Sequence, residues 1–163
     1  MKKQNVIKII LILLLTSFSW AQEDRFTISN YTEPHHYFND GFNWGFAIEY
    51  QMPELFYFKA QTILFPDLNG IDYYDFSGVV GLHNRSAFHN WRHYGGVGLG
   101  AINRQGWGHP KFTVEAGIEY YFGSGLYLGY MAFFDYRTDG RAWETDAQDY
   151  WCFNNGLKFG IWW

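Results

Sequence analysis

Nine ionisable residues recur at alternate positions of strand-like segments, and acids and bases are mixed among them. They are Glu49, Lys59, Asp75, Arg92, Glu115, Glu119, Asp135, Arg137 and Lys158. Buried charges must be paired, so this mixture on one face of a closed sheet predicts an ion-pair network that fills the lumen. The alternative chemistry is a gated proton or ion path, which requires a continuous wet channel.

Catalytic and metal-binding patterns are weak. His83 and Ser86 form the best local pair for a serine nucleophile activated by a histidine, but they fall at a predicted turn without a flanking motif. Three loop histidines are metal candidates without evident ligand spacing: His35, His36 and His109. Cys152 is the sole cysteine, and we expect a small buried residue rather than a reactive thiol. We predict no enzyme activity, no metal and no cofactor.

The charged residues lie on eight segments in which apolar and polar residues alternate. Since successive side chains of a strand point to opposite faces, each segment predicts a strand with one apolar and one polar face. The segments are residues 25–31, 42–51, 55–65, 73–83, 91–102, 111–122, 126–137 and 149–163. The apolar faces include Phe46, Phe58, Val80, Ala116, Leu128 and Phe159. We predict an all-β fold, an eight-stranded antiparallel up-and-down transmembrane barrel.

The predicted connections alternate in length. The longer, polar ones are residues 32–41, 66–72, 103–110 and 138–148, whereas the second and sixth connections are very short and the fourth is intermediate. Short turns on one side and longer loops on the other are typical of outer-membrane barrels. The competing fold is a soluble lipocalin-like barrel, also eight-stranded, with its apolar face turned inward.

The first residues resemble an export signal. Lys2 and Lys3 precede the apolar run 9–15, and Ser19-Trp20-Ala21 supplies small residues at the two positions that a signal peptidase reads. The apolar run is too short for a retained membrane helix. We predict a signal peptide over residues 1–21, cleaved before Gln22, and one barrel domain over residues 22–163.

Composition supports export to a membrane and excludes nucleic acid as a partner. Cleavage removes three of the 12 basic residues, and the remaining nine face 16 acidic residues, so the mature net charge is −7. Aromatic residues make up 23% of the chain, yet the mean hydropathy is slightly negative. A barrel wall with one lipid-facing and one polar face produces this combination.

The signal peptide, the alternating segment 114–122 and the aromatic terminal strand together resemble the small eight-stranded outer-membrane barrels of the OmpA/OmpX/OmpW-like group, of a Bacteroidetes type. The resemblance implies a location in the outer membrane of a Gram-negative bacterium, with outer-membrane lipid and the barrel-assembly machinery as partners. It also implies an assembly signal of the form polar-x-Gly-x-x-aromatic-x-hydrophobic. The matching residues are Asn154, Gly156, Phe159 and Ile161, with Trp163 two residues beyond.

Three functions remain open at this point. The first is a non-enzymatic structural or accessory envelope protein with a closed lumen. The second is a subunit of a larger outer-membrane complex for uptake, secretion or barrel assembly. The third, from the enzyme class, is lipid A modification. Tryptophans near strand ends predict an aromatic girdle, and the candidates are Trp44, Trp91, Trp107, Trp143, Trp151, Trp162 and Trp163.

Overall fold

Eight antiparallel strands form a closed barrel in sequence order. The computed structural model describes residues 25–32, 44–53, 55–64, 73–85, 90–104, 106–140 and 148–163. The strands are β1 Arg25–Thr32, β2 Trp44–Gln51, β3 Phe56–Leu64, β4 Tyr73–Arg85, β5 Trp91–Arg104, β6 Trp107–Tyr121, β7 Leu126–Arg137 and β8 Tyr150–Trp162. The predicted eight-stranded antiparallel barrel is confirmed.

β1 closes the barrel by pairing with β8, from Thr27 opposite Trp162 to Thr32 opposite Leu157. Beyond this ladder, Phe26 and Trp163 exchange two backbone hydrogen bonds of 3.1 Å. Closure leaves no free edge along the paired lengths, which is how a barrel satisfies its backbone without water.

The register fixes the tilt of the strands. A path of directly opposed residues that starts at Arg92 on β5 passes once around the barrel and returns to β5 at Ile102, ten residues further on. The shear number is therefore 10. Ten residues of about 3.3 Å against eight spacings of about 4.8 Å give a tilt of about 40°. Eight strands at this tilt enclose a lumen just wide enough for side chains.

The two faces of the sheet differ completely in charge. All thirteen Asp, Glu, Lys and Arg residues of the eight strands point into the lumen, and the outward positions carry none. Among the described residues, thirty large apolar or aromatic side chains are at least 36% exposed, whereas eleven hydrophobic residues are buried. This inversion of the usual soluble pattern leaves a predominantly apolar outer surface.

The predicted loop 103–110 is wrong. β5 continues to Arg104 and β6 begins at Trp107, so the fifth connection has two residues, with Gly106 at a φ of 80°. Pro110 fits within β6 because its carbonyl accepts a hydrogen bond from the Thr138 hydroxyl on the side where β7 has already ended. The missing N–H of Pro110 points to that same side, so no ladder bond is lost. The alternation of connection lengths therefore fails at this hairpin.

The first 24 residues lie outside the described part of the chain, so the signal peptide and the domain boundary stay predictions. Among the described residues, no helix is long and apolar enough to cross a membrane.

Candidate functional site: the charged lumen

All nine residues of the predicted network point inward and are at most 7% exposed. They fall into two groups with no hydrogen bond or ion pair between them among the described residues. One group lies toward the barrel end that holds Arg25 and Trp163, and the other lies toward the opposite end. We describe them as the terminal-side group and the loop-side group.

The terminal-side group contains a closed ring of four alternating charges, which we call the charge ring: Glu49, Arg92, Glu119 and Lys158. Arg92 lies 2.6 Å from Glu49 and 2.8 Å from Glu119. Lys158 lies 2.6 Å from Glu119 and 3.3 Å from Glu49. Each charge has two opposite partners, so the ring is neutral, and its side chains are at most 2% exposed.

Neighbouring polar groups complete the hydrogen bonding of the charge ring. The Gln51 amide donates to Glu49 and to the Tyr121 hydroxyl, both at 2.9 Å, and Tyr121 donates to Glu119 at 2.8 Å. The ring can close because Gly129 separates Glu119 from Lys158 in the register. A Cβ at Gly129 would lie 2.8 Å from Cγ of Glu119.

A second ion pair, Lys59 with Glu115, lies beside the charge ring with neither side chain exposed. The Tyr57 hydroxyl donates to the other Glu115 oxygen at 2.8 Å. Tyr57 starts on β3 and reaches Glu115 on β6 by crossing β4 and β5 at Gly81 and Gly96. A Cβ would lie 2.5 Å from the Tyr57 ring at Gly81 and 2.3 Å from its hydroxyl at Gly96.

Tyrosine–glycine pairs repeat around the lumen. An inward tyrosine on each odd-numbered strand lies directly opposite a glycine on the next strand: Tyr31–Gly45, Tyr57–Gly81, Tyr94–Gly117 and Tyr127–Gly160. At each of these glycines a Cβ would lie within 2.8 Å of the tyrosine ring. The glycines therefore let four buried aromatic rings lie against the wall, which explains why the polar face is rich in glycine.

The loop-side group consists of two open clusters of three charges each rather than a ring. Lys111 lies between Asp75 at 2.5 Å and Asp135 at 3.4 Å, and the Thr113 hydroxyl donates to Asp135 at 2.6 Å. At the mouth, Asp139 accepts from Arg104 at 2.7 Å and from Arg137 at 3.2 Å. Asp139 follows β7 and is fully buried.

Sequence reasoning missed five of the lumen charges: Arg25, Arg85, Arg104, Lys111 and Asp139. Lys111 shares its strand parity with Glu115 and Glu119, and this signal was sufficient to find it. Arg104 and Asp139 fell inside predicted loops, where the alternation of apolar and polar residues does not predict which way a side chain points. The Nη2 of Arg85 donates to Gln51 at 2.7 Å, which extends the hydrogen bonding of the charge ring toward the terminal end.

The catalytic and metal candidates do not assemble in the described part of the chain. His83 points into the lumen, where its Nε2 lies 3.1 Å from the Met52 carbonyl. Ser86, His35 and His36 lie outside the described residues, and within those residues no group of three metal-ligating side chains occurs. Cys152 is partly exposed and its thiol donates to the Asn154 amide oxygen at 3.4 Å.

Five of the predicted girdle tryptophans are between 40% and 74% exposed: Trp44, Trp91, Trp107, Trp151 and Trp163. The prediction is wrong for Trp162, which has the inward parity of Lys158 and stacks under Arg25, with the guanidinium 4.0 Å from the ring centroid. Trp143 lies outside the described residues. The signal residues Phe159, Ile161 and Trp163 face outward, whereas Gly156 faces the lumen.

The comparisons identify the fold and nothing finer. No protein-family model matches the chain, and no curated protein is significantly similar to it. Neisserial surface protein A (NspA) is similar in structure, with a TM-score of 0.53 at 10% identity over 88% of this chain and 99% of NspA. The Yersinia pestis outer membrane protein Ail gives a TM-score of 0.48 at 14% identity over 85% of this chain and all of Ail. The Bacteroidetes type stays a prediction.

Proposed function

We propose that the mature chain is an integral outer-membrane protein, exported by a cleaved signal peptide, that acts as a non-enzymatic structural or accessory barrel with a closed lumen. The observation that carries the proposal is the absence of charge from the outward face of all eight strands. In a barrel surrounded by water, charged side chains would face outward and aromatic side chains inward. The thirteen strand charges and the aromatic side chains of this barrel have the reverse arrangement.

The height of the apolar surface supports the same proposal. On β4 the outward face runs from Tyr74 through Phe76, Val80 and Leu82 to the polar Asn84. The eight residue steps from Tyr74 to Leu82 span about 26 Å along the strand, or about 20 Å of height at a tilt of about 40°. The apolar side chains therefore cover most of the lipid-facing band of outer-membrane barrels, which is about 25 Å tall. Exposed Trp91 and Trp151 near opposite strand ends fit the girdle expected at the two interfaces.

The side chains that fill the lumen support the proposal that it is closed. The charge ring, the Lys59–Glu115 pair and the four tyrosine–glycine pairs all occupy the narrow interior of the barrel. An ion crossing this region would have to separate fully buried ion pairs, each of which is costly to break. We therefore expect no stable single-channel openings in planar bilayers, and such openings would contradict a closed lumen.

Cell fractionation tests the location directly. We expect cells that express the full-length chain to contain the protein in the outer membrane, where it resists carbonate extraction. The intact mass of the purified protein should be that of a chain that begins at Gln22. Most of the protein in the soluble periplasm would overturn the proposal in favour of a lipocalin-like barrel. Retention of residues 1–21 would overturn only the cleavage site.

The second candidate is a subunit of a larger outer-membrane complex, favoured by Asn30 and Asn155, whose amides face outward among apolar side chains. Mild detergent extraction followed by mass spectrometry of co-purifying proteins separates this candidate from a barrel that acts alone. Lipid A profiling of a deletion strain tests the enzyme alternative, for which His83, turned into the lumen, offers no support.

A further inference from the structure

Two polar residues face outward side by side at the barrel end that holds Arg25 and Trp163. Asn84 near the end of β4 and His93 near the start of β5 are directly opposite each other, and we call them the polar pair. Asn84 is partly exposed and His93 is exposed. Neither side chain forms a hydrogen bond with a residue that the structure describes. The wall therefore presents an amide and an imidazole to the surroundings at this rim of the barrel.

An aromatic cluster borders the polar pair. The indole of Trp91, two residues before His93, is 40% exposed and packs edge-on against Tyr120 with the ring centroids 4.9 Å apart. The Tyr120 ring also contacts the ring of Phe122, at 5.0 Å between centroids. Indole and phenol groups at the end of a membrane-spanning wall are typical of the interface where lipid headgroups lie. This neighbourhood places the polar pair at headgroup level rather than in hydrocarbon.

A furrow of small outward residues begins beside the polar pair and leads toward the middle of the wall. Gly95 is the next outward residue of β5 after His93, and the register places Ala116 on β6 and Ala132 on β7 in line with it. A Cβ at Gly95 would have only the carbonyl oxygen of Glu115 within 4 Å. With strands about 4.8 Å apart, the floor of the furrow is about 10 Å long. Larger outward side chains border it on both sides: Ile118 and Tyr130 on one, and Val97, Val114 and Phe134 on the other.

We propose that the polar pair and the furrow together bind one phospholipid molecule. An amide and an imidazole each supply N–H donors, whereas a phosphate diester supplies only acceptor oxygens, so one headgroup satisfies both side chains. The hydrocarbon chain of the same molecule lies in the furrow, whose three floor positions have no polar side-chain atom. The outward positions of β4, β5 and β6 carry no acidic residue that would repel the phosphate. The inference rests on the proposed membrane location.

Native mass spectrometry of the folded protein in detergent, titrated with dioleoylphosphatidylglycerol, tests the polar pair. We expect one phospholipid to bind saturably, and dioleoylglycerol, which has the same chains without the phosphate, to bind about tenfold more weakly. Asn84→Leu with His93→Leu should weaken phospholipid binding by about the same factor, because both headgroup hydrogen bonds are lost. Asn103→Leu is the matched control, since Asn103 also faces outward but lies at the other end of β5, and it should leave the affinity unchanged.

Substitutions on its floor test the furrow. Gly95→Leu and Ala116→Leu place a bulky side chain where the hydrocarbon chain lies, so each should weaken the binding of both lipids. Gly78→Leu is the control, because Gly78 is an outward glycine of β4 with nothing within 4 Å of its Cβ position and lies outside the furrow. Heat-modified gel mobility verifies that each variant is folded.

Three results would overturn the inference. They are a wild-type protein that retains no phospholipid, equal affinities for the phospholipid and the diacylglycerol, and retention that neither the polar-pair variant nor the furrow variants change. Displacement of the lipid by inorganic phosphate alone would assign the polar pair to a free anion and would also overturn it. A protein recovered in the outer membrane without a bound lipid would leave the proposed location standing, whereas a protein absent from membranes would overturn both.

Discussion

The inner and outer faces of this sheet share one backbone but differ in the chemistry of their side chains. Inside, thirteen strand charges and four tyrosine–glycine pairs fill a lumen in which charged groups find partners within about 3.5 Å. Outside, the same strands present aromatic and aliphatic groups with no charge and few polar atoms. The comparison indicates that the inner face tolerates few substitutions, because its charged side chains must meet their partners in a defined geometry. The outer face tolerates many apolar substitutions, because lipid adapts to any apolar shape.

The largest effect we expect comes from removing the strand that completes both faces. Deleting residues 155–163 removes Lys158 from the charge ring and the whole β1 partner segment of β8, which leaves unpaired edges in hydrocarbon. We predict that the variant is exported but does not accumulate in the outer membrane, as measured by fractionation and heat-modified gel mobility. The swap Leu157→Ile with Ile161→Leu keeps pairing and should assemble normally. Accumulation of the truncated chain would contradict the role of β8 in closure.

The inner face should be most sensitive at the charge ring. Arg92→Met leaves Glu49 and Glu119 with Lys158 as their only cation, and breaking a buried ion pair costs about 3–5 kcal/mol. We expect a loss of this size in equilibrium urea unfolding from lipid vesicles.

Adding Glu119→Gln to Arg92→Met restores neutrality, because Glu49 and Lys158 remain as a pair. The double variant should therefore recover part of the lost stability. If both changes proved additive, the ring would not act as a coupled unit.

The outer face should be sensitive to charge rather than to shape. Phe46→Arg, within the apolar band, should cost about 2–4 kcal/mol in the same unfolding measurement, whereas Asn84→Arg at the rim should cost about 0–1 kcal/mol. Phe46→Leu keeps an apolar side chain and serves as the control for the lost ring. Equal effects of arginine at Phe46 and at Asn84 would show that depth is irrelevant and that the assignment of the outer face to lipid is wrong.

Much of this two-faced arrangement could be predicted from alternation alone. Strand parity predicts the direction of Glu49, Lys59 and Lys158, because one residue step reverses the face of every side chain. The pairing of Glu49 with Arg92 could not be predicted, since the two are not neighbours in the register and meet only because the shear brings β2 and β5 together across the lumen. Pairing across a barrel depends on the register of all eight strands, which no single segment encodes.

The loop-side group was harder to predict from the sequence than the terminal-side group, for a related reason. Asp139 lies outside every strand, and its position depends on the chain after β7 folding back into the mouth. The hairpin between β5 and β6 was predicted as a loop over residues 103–110, whereas the place of Pro110 beside the end of β7 makes it compatible with a strand. Tertiary context overrides local propensity at both places.

The smallest expected effect compares two glycines that differ only in the face they occupy. Gly96 points inward, and a Cβ there would lie 2.3 Å from the Tyr57 hydroxyl and 2.9 Å from the Val80 carbonyl. Gly78 points outward with nothing within 4 Å of its Cβ position. We predict that Gly96→Ala costs about 1–3 kcal/mol, as overpacking does. Gly78→Ala should be neutral or stabilise by up to about 1 kcal/mol, because alanine restricts the unfolded chain.

A second substitution shows whether the cost at Gly96 arises from the path that Tyr57 takes to Glu115. Tyr57→Phe removes the hydroxyl nearest to the new methyl group, so Gly96→Ala should cost less in that background than in the wild type. The contact with the Val80 carbonyl remains, so the rescue should be partial. Urea unfolding of the four proteins of this cycle in lipid vesicles measures the coupling. Equal costs of Gly96→Ala in both backgrounds would mean that the backbone contact alone excludes a side chain, and that the tyrosine does not require glycine at this position.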